Sequence, residues 1–265
     1  MKNKKITRAL IHVPEEKNEL LKKVLLNINS NEEIIALWKV INVNAIDRLG
    51  MSDHGPVHFQ IVANSALRLM RILVKQNVEM SIVKNFGLSN DYAEVVILLA
   101  SILHDLGMSI NREGHEEFSL FLTNALLKEI LGFLKIQERV IVTSETLHAI
   151  ISHRSDGRPI TIEAGIVRVA DALDMTQGRS RIPYESGKVD IHSISAYAID
   201  NVEISEGIEK PILIAIHMNN SAGIYQVDEL LKKKLHDSGI EKYIEVKAYI
   251  DRKTEKTLIK EFIVK

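Results

Sequence analysis

His58, His104, Asp105 and Asp171 interrupt or terminate runs that are otherwise apolar. The stretch Val95-Val96-Ile97-Leu98-Leu99-Ala100-Ser101-Ile102-Leu103 is almost continuously aliphatic and passes straight into His104-Asp105-Leu106-Gly107-Met108. An imidazole and a carboxylate at the end of a buried helix lose their water. A buried carboxylate is costly unless it is paired, hydrogen-bonded or bound to a cation. Taken alone, the pair fits a plainer reading better, in which Asp105 caps the Leu106-Gly107 turn and His104 simply packs. With His58 and Asp171 added, the four suit a divalent ion held from several helices. Hydrolysis of a phosphate ester needs such an ion, to neutralise phosphoryl oxygens and bring the pKa of a water toward neutrality. The chain has no cysteine, so thiolate sites are excluded. Imidazole and carboxylate ligands accept manganese, iron, cobalt, nickel, zinc or magnesium, as one ion or two.

The elements that must bring these groups together are mostly helical. Up to about Gly50, Leu20, Leu21, Val24, Leu25 and Ile28 share one helical face and Ile34, Ile35, Leu37, Trp38 and Ile41 another, which predicts supporting helices. Gly55-Pro56 breaks the chain, and a helix beginning near Val57 and running through Leu73 places His58 in its first turn. A linker from Gln76 to Asn90 offers Ser89, Asn90 and Asp91 as N-caps for the core helix. A polar loop, Asn111 to His115, leads into an amphipathic helix from Glu116 to Leu134, and a further helix runs from Ile141 to about Ser152. After the turn-rich His153-to-Pro159 loop, Thr161 to Met175 reads as a second buried helix with small residues that permit close packing. Asp171 and Asp174, three apart on its face, both require partners. Beyond Ser195 the period changes: strands are predicted at Ala198 to Ile204, Ile212 to Met218, Tyr243 to Ile250 and Thr257 to Val264, with a helix from about Val227 to Leu235. The expected architecture is mainly α, a helical domain over residues 1–195 followed by a small α+β domain of order ββαββ over 196–265.

Composition narrows the function classes. With 265 residues, 46% of them hydrophobic, the chain can bury a good core, and a net charge of -1 provides no global basic field for nucleic acid. A small phosphorylated substrate is favoured over a long polymer. No stretch is expected to span a membrane, no apolar leader follows the charged Met1-Lys2-Asn3-Lys4-Lys5 start, and a cytoplasmic location is the default.

His58 followed by Val62-Ala63, then Leu103-His104-Asp105-Leu106-Gly107, then Val169-Ala170-Asp171-Ala172 resemble, in order, the motifs of the HD-domain metal-dependent phosphohydrolases over roughly Val57 to Pro183. The resemblance implies an HD-type helical bundle with His58, His104, Asp105 and Asp171 as metal ligands. It also implies a metal-activated water attacking phosphorus in line, with Asp105 able to orient the water. Gly114-His115-Glu116-Glu117 is similar to the histidine after the signature in HD-GYP phosphodiesterases and ribonuclease Y, and Ile151-Ser152-His153-Arg154 to their His-His segment, with Ser152 in place of the first histidine. His115 and His153 are thus expected either to bind a second metal or to face substrate phosphate, or else to be surface loop histidines. His148 ranks below them, because five residues do not bring it to the face of His153. His54 either contacts substrate or caps the turn before His58. Those enzymes carry a lysine soon after the pair, whereas Met108 stands here; another cation must replace it, or the activity differs. The candidates are Arg112, Arg154, Arg158, Arg179 and Arg181, with Arg179 and Arg181 first and Arg158 also assigned to substrate. No Gly-Tyr-Pro element follows Asp156-Gly157, so no cyclic dinucleotide is inferred. The leading expectation is a phosphohydrolase acting on a nucleotide or other small phosphoester. The alternative is a regulatory metal- or nucleotide-binding module with little turnover. A homodimer is expected, with Thr257 to Val264 available for pairing.

Overall fold

The computed structural model describes residues 10–154, 156–176 and 191–250. The chain opens with α1 (Glu19–Ser30) and α2 (Glu32–Asn42), capped by Asn18 and Asn31, whose side-chain oxygens accept the Leu21 and Ile34 N–H groups. Their buried faces, Leu21, Val24, Leu25 and Ile28, then Ile34, Trp38 and Ile41, follow the sequence periodicity. A π-helical turn, Val43–Arg48, precedes α3 (Pro56–Lys75), where proline occupies the first turn because its missing N–H costs nothing there.

The predicted linker between α3 and the core helix contains a short helix, α4 (Ser81–Phe86). Six residues give too little periodicity to be read from sequence, and the cap comes from far along the chain: the fully buried Glu163 accepts the Ser81 and Ile82 N–H groups at 3.2 and 3.0 Å. The core helix α5 (Asn90–Leu103) has every side chain from Val95 to Leu103 buried and is surrounded by α1, α3, α4, α7 and α8. Each aliphatic side chain so buried contributes on the order of 1.5–3 kcal/mol, which fixes the helix end and hence the His-Asp pair in space. The stretch Asn90–Ser109 does reach the length and hydropathy of a membrane span, contrary to expectation, yet 83% of its 18-residue apolar window is buried inside the fold.

A 3₁₀ turn (Leu106–Ser109) leads to α6 (His115–Ile130), which ends before the predicted Leu134 because Leu131 to Phe133 form a turn. Helix α7 (Ile136–Ser152) starts earlier than predicted, and α8 (Ile162–Ala172) is capped by Thr161, which accepts the Ala164 N–H. After α9 (Ile191–Tyr197), β1 (Ile199–Glu206) and β2 (Ile212–Met218) form an antiparallel hairpin, with a register irregularity between Ile199 and Asn201. A crossover containing a π-helical segment, Gln226–Leu231, and the α-turn α10 (Lys232–Leu235) returns the chain to β3 (Ile244–Ile250), parallel to β2. The described sheet order is β1-β2-β3; the expected strand Thr257 to Val264 lies outside the described residues. The order ββαβ therefore stands as far as the described chain reaches. One apolar cluster runs from Ile11 through the helices to Ile216, Leu231 and Ile244, so the sheet and the bundle share a core.

Candidate metal centre

The His104-Asp105 turn is held from three sides. Trp38 Nε1 donates to the Ile102 carbonyl at 3.2 Å, and Asn44 Nδ2 donates to the carbonyls of Met108 and Ser109 at 2.8 and 3.0 Å, so the N-terminal segment braces the turn. From α6, Ser119 Oγ accepts the Gly107 N–H at 2.8 Å and shares its own proton between the carbonyls of His104 and His115 at 2.5 and 2.7 Å. A Cβ on Gly107 would lie 1.9 Å from the His115 carbonyl oxygen, so only glycine lets α6 come this close.

Four helices deliver the side chains: His58 from the first turn of α3, His104 and Asp105 from the end of α5, His115 from the start of α6, and Asp171 from the last turn of α8. His153 follows the end of α7 directly. His58 Nε2 lies 3.2 Å from His104 Nε2 and 3.3 Å from Asp171 Oδ1. Asp105 stands between two sets of imidazoles. Its Oδ2 is 3.5 Å from His104 Nε2 and 4.0 Å from His58 Nε2, while its Oδ1 is 3.1 Å from His115 Nε2 and 3.8 Å from His153 Nε2. Among the described residues, three groups have ligand atoms within 4.8 Å of one another: His58, His104 and Asp171; His104, Asp105 and His153; and His115, Glu116 and His153.

The opposite ring nitrogens explain this orientation. His58 Nδ1 donates to Asp174 Oδ2 at 2.6 Å, His104 Nδ1 to the Ser101 carbonyl at 2.9 Å, and His153 Nδ1 to the Ile150 carbonyl at 2.6 Å. His115 Nδ1 faces the Arg112 carbonyl at 2.9 Å and Glu116 Oε2 at 3.2 Å; two oxygen acceptors outweigh the Arg112 guanidinium nitrogen at 3.0 Å, so Nδ1 carries the proton. In His58, His104 and His153 a tethered Nδ1–H points Nε2 into the centre, the usual arrangement of metal-binding histidines, whereas His115 Nε2 lies 3.1 Å from Asp105 Oδ1 and donates to it when the ring is protonated.

The electrostatics fit the same use. Burial lowers the His104 pKa despite the neighbouring Asp105 and Asp171, and burial beside His104 lowers His153 to about 3, so both are neutral at pH 7. Burial opposes ionisation of Asp105, but His104 and His115 outweigh it and hold the carboxyl well below its ordinary value. Asp171 is likewise held down against burial by Lys234, His58 and His104. His115 is raised despite burial, because Asp105 stabilises its protonated form. Two ionised carboxylates and at least two neutral imidazoles, nearly dry, form a donor set that fits a divalent cation.

The remaining expected residues fare differently. His54 is buried, with its ring centroid 5.9 Å from that of His58 and its Nδ1 on the Ser52 carbonyl at 2.8 Å. In the same turn Asp53 Oδ1 accepts the Gly55 N–H at 2.9 Å, and Gly55 is the N-cap of α3. His115 and His153 are buried, which overturns their reading as surface histidines. His148 accepts the Ile160 N–H through Nε2 at 3.1 Å and braces the loop rather than the centre. Arg154 is engaged by Asp156 and Glu117, and Arg158 lies exposed on the loop, outside the groups brought together here. Arg179 and Arg181 lie outside the described residues. The sequence requires a partner for Asp174 but does not identify it as His58. Lys234, whose Nζ contacts Asp171 Oδ2, carries no sequence signal beyond being the third of three consecutive lysines.

Comparison with known proteins agrees with this geometry. The family model described as HD domain matches residues 62–176, a span that begins after His58, so the structure and not the match joins His58 to the group. The chain is 41% identical over 254 residues to an uncharacterized protein of Methanocaldococcus jannaschii, covering 94% of this chain and 97% of that protein. No solved structure matches.

Proposed function

The chain belongs to the HD-domain family, and on that premise we propose that it is a metal-dependent phosphohydrolase acting on a nucleotide or another small phosphoester. The observation that carries the reading is Asp105, whose two oxygens face different pairs of tethered imidazoles, His58 with His104 and His115 with His153. His58, His104, Asp105 and Asp171 would hold one ion, and Asp105, His115 and His153 a second. Such ions neutralise phosphoryl oxygens and acidify water.

The chain's own residues do the rest. Asp174 and the Ser101 and Ile150 carbonyls hold Nδ1 of His58, His104 and His153 and so fix the direction of each Nε2. Side chains 1% to 6% exposed exclude bulk water, which strengthens every charge interaction in the centre. Asp105 favours the protonated form of His115 across the 3.1 Å contact to Nε2, and that proton would have to leave before Nε2 could hold an ion. The absence of a global basic field favours a small substrate over a polymer.

The test is metal analysis of the purified protein followed by a screen of phosphoesters with added manganese or magnesium, comparing wild type with Asp105→Ala. Turnover that falls by about 10²-fold or more in the variant, with the fold retained, is the expected result. Bound metal with no turnover of any ester, or equal turnover in both proteins, overturns the proposal.

A further inference from the structure

Lys232, Lys233 and Lys234 are consecutive, yet they do different things. Lys232 and Lys233 pair with Asp228 and Glu229 one turn earlier, on the exposed side of the crossover. Lys234 turns the other way and meets Asp171 Oδ2, the oxygen opposite the one that faces His58 and His104.

This placement is built into the packing. Arg168, one turn before Asp171 on α8, donates Nε to the Lys234 carbonyl at 2.8 Å and Nη2 to the Lys233 carbonyl at 3.2 Å. Its Nη1 reaches the other way, to the Gly157 carbonyl at 2.7 Å and the Ser152 carbonyl at 3.3 Å, so one buried guanidinium ties the crossover to the chain flanking His153. A Cβ on Gly165 would lie 2.2 Å from the Ser238 carbonyl oxygen, which shows how closely the crossover rests on α8.

Access and charge agree on what Lys234 faces. The side chains of His58 and His104 are 1% exposed, whereas Asp171 is 12% and Lys234 18% exposed, so the centre opens to solvent beside this pair. The positive charge of Lys234 also reaches the far side of the centre, where it helps keep His153 unprotonated. An ammonium has three N–H donors in a flexible head, and Asp171 takes one of them.

We propose that Lys234, delivered by the C-terminal crossover, is the group that receives the phosphoryl oxygens of the substrate at the Asp171 side of the metal centre. The inference rests on the phosphohydrolase reading and adds a named substrate contact to it. The C-terminal module is then part of the active site and not an appendage to it.

The experiment is isothermal titration of manganese, then of inorganic phosphate into the manganese-loaded protein, for wild type, K234Q and K234R. K234Q is expected to bind manganese with unchanged stoichiometry and phosphate about tenfold more weakly or worse, with K234R staying within about threefold of wild type. Unchanged phosphate affinity in K234Q, loss of manganese from K234Q, or a wild type that binds no phosphate each overturns the inference. K234M, which keeps the length of the stem, replaces K234Q with the same criteria if K234Q does not fold. Phosphate binding is read without turnover, so the two ideas can fail separately. A protein that hydrolyses no ester but loses phosphate on K234Q sinks only the hydrolase reading. A phosphohydrolase whose phosphate affinity ignores K234Q sinks only the role of Lys234.

Discussion

At the scale of single residues, the centre depends on nitrogens that would touch no ion. The Nδ1 of His58 is held by Asp174 at 2.6 Å, and this bond decides which nitrogen points at Asp171. Asp174→Ala removes the acceptor that sets the tautomer while leaving the His58, His104, Asp105 and Asp171 donor set intact. Manganese affinity is expected to weaken by about 10–100-fold, measured by competition with a chelator. An affinity equal to wild type would show that packing alone orients His58. This residue was half legible from sequence: an acidic group on an apolar helix must find a partner, but nothing in the order of residues says that the partner lies 116 positions away.

At the scale of elements, the decisive contact is that of α6 with the turn after α5. Gly107 has no side chain because the His115 carbonyl occupies the place of its Cβ, with the Phe118 Cβ 2.8 Å away as well. Gly107→Ala must push α6 outward and carry His115 with it. Overpacking of this kind costs about 1–3 kcal/mol. The melting temperature should fall by several degrees, and the manganese stoichiometry should fall along with it because His115 moves. A variant with a lower melting temperature but full stoichiometry would mean that His115 is held by Arg112 and Glu116 rather than by the helix position. Helices α1, α2, α3, α5 and α8 were legible because their apolar patterning is set locally; the Asn18, Asn31 and Thr161 caps of α1, α2 and α8 emerged only in the structure. Helix α4 was not legible, because its N–H groups are satisfied by Glu163 from α8.

At the scale of the whole molecule, the centre ties stability to pH. His104 and His153 are neutral in the fold, His153 down to about 3, whereas each takes up a proton near pH 6.5 once unfolded. Between those values the unfolded chain binds more protons, so stability is full above pH 6.5 and is lost as pH falls. The loss approaches about 1.4 kcal/mol per pH unit for each such histidine. His115 acts in the opposite sense, since its raised pKa contributes stability at low pH that fades as pH rises. Asp105 and Asp171 are held well below 3.8 and so contribute to acid loss only below that value. Urea midpoints of the metal-free protein should therefore drop from pH 7 to pH 5, and His153→Gln should flatten the drop; an equal slope in the variant would contradict this assignment. The sequence by itself determined a mainly helical chain with a small sheet module after it and marked His58, His104, Asp105 and Asp171 as polar groups in apolar helices that need partners, because periodicity and the cost of burying polar groups are local properties. Only the tertiary structure decided that Asp105 faces two sets of imidazoles, that Asp174 orients His58, and that the third lysine of the crossover meets Asp171. Those pairings follow from how α3, α5, α6, α8 and the crossover pack against one another, and packing joins residues whose separation along the chain carries no signal.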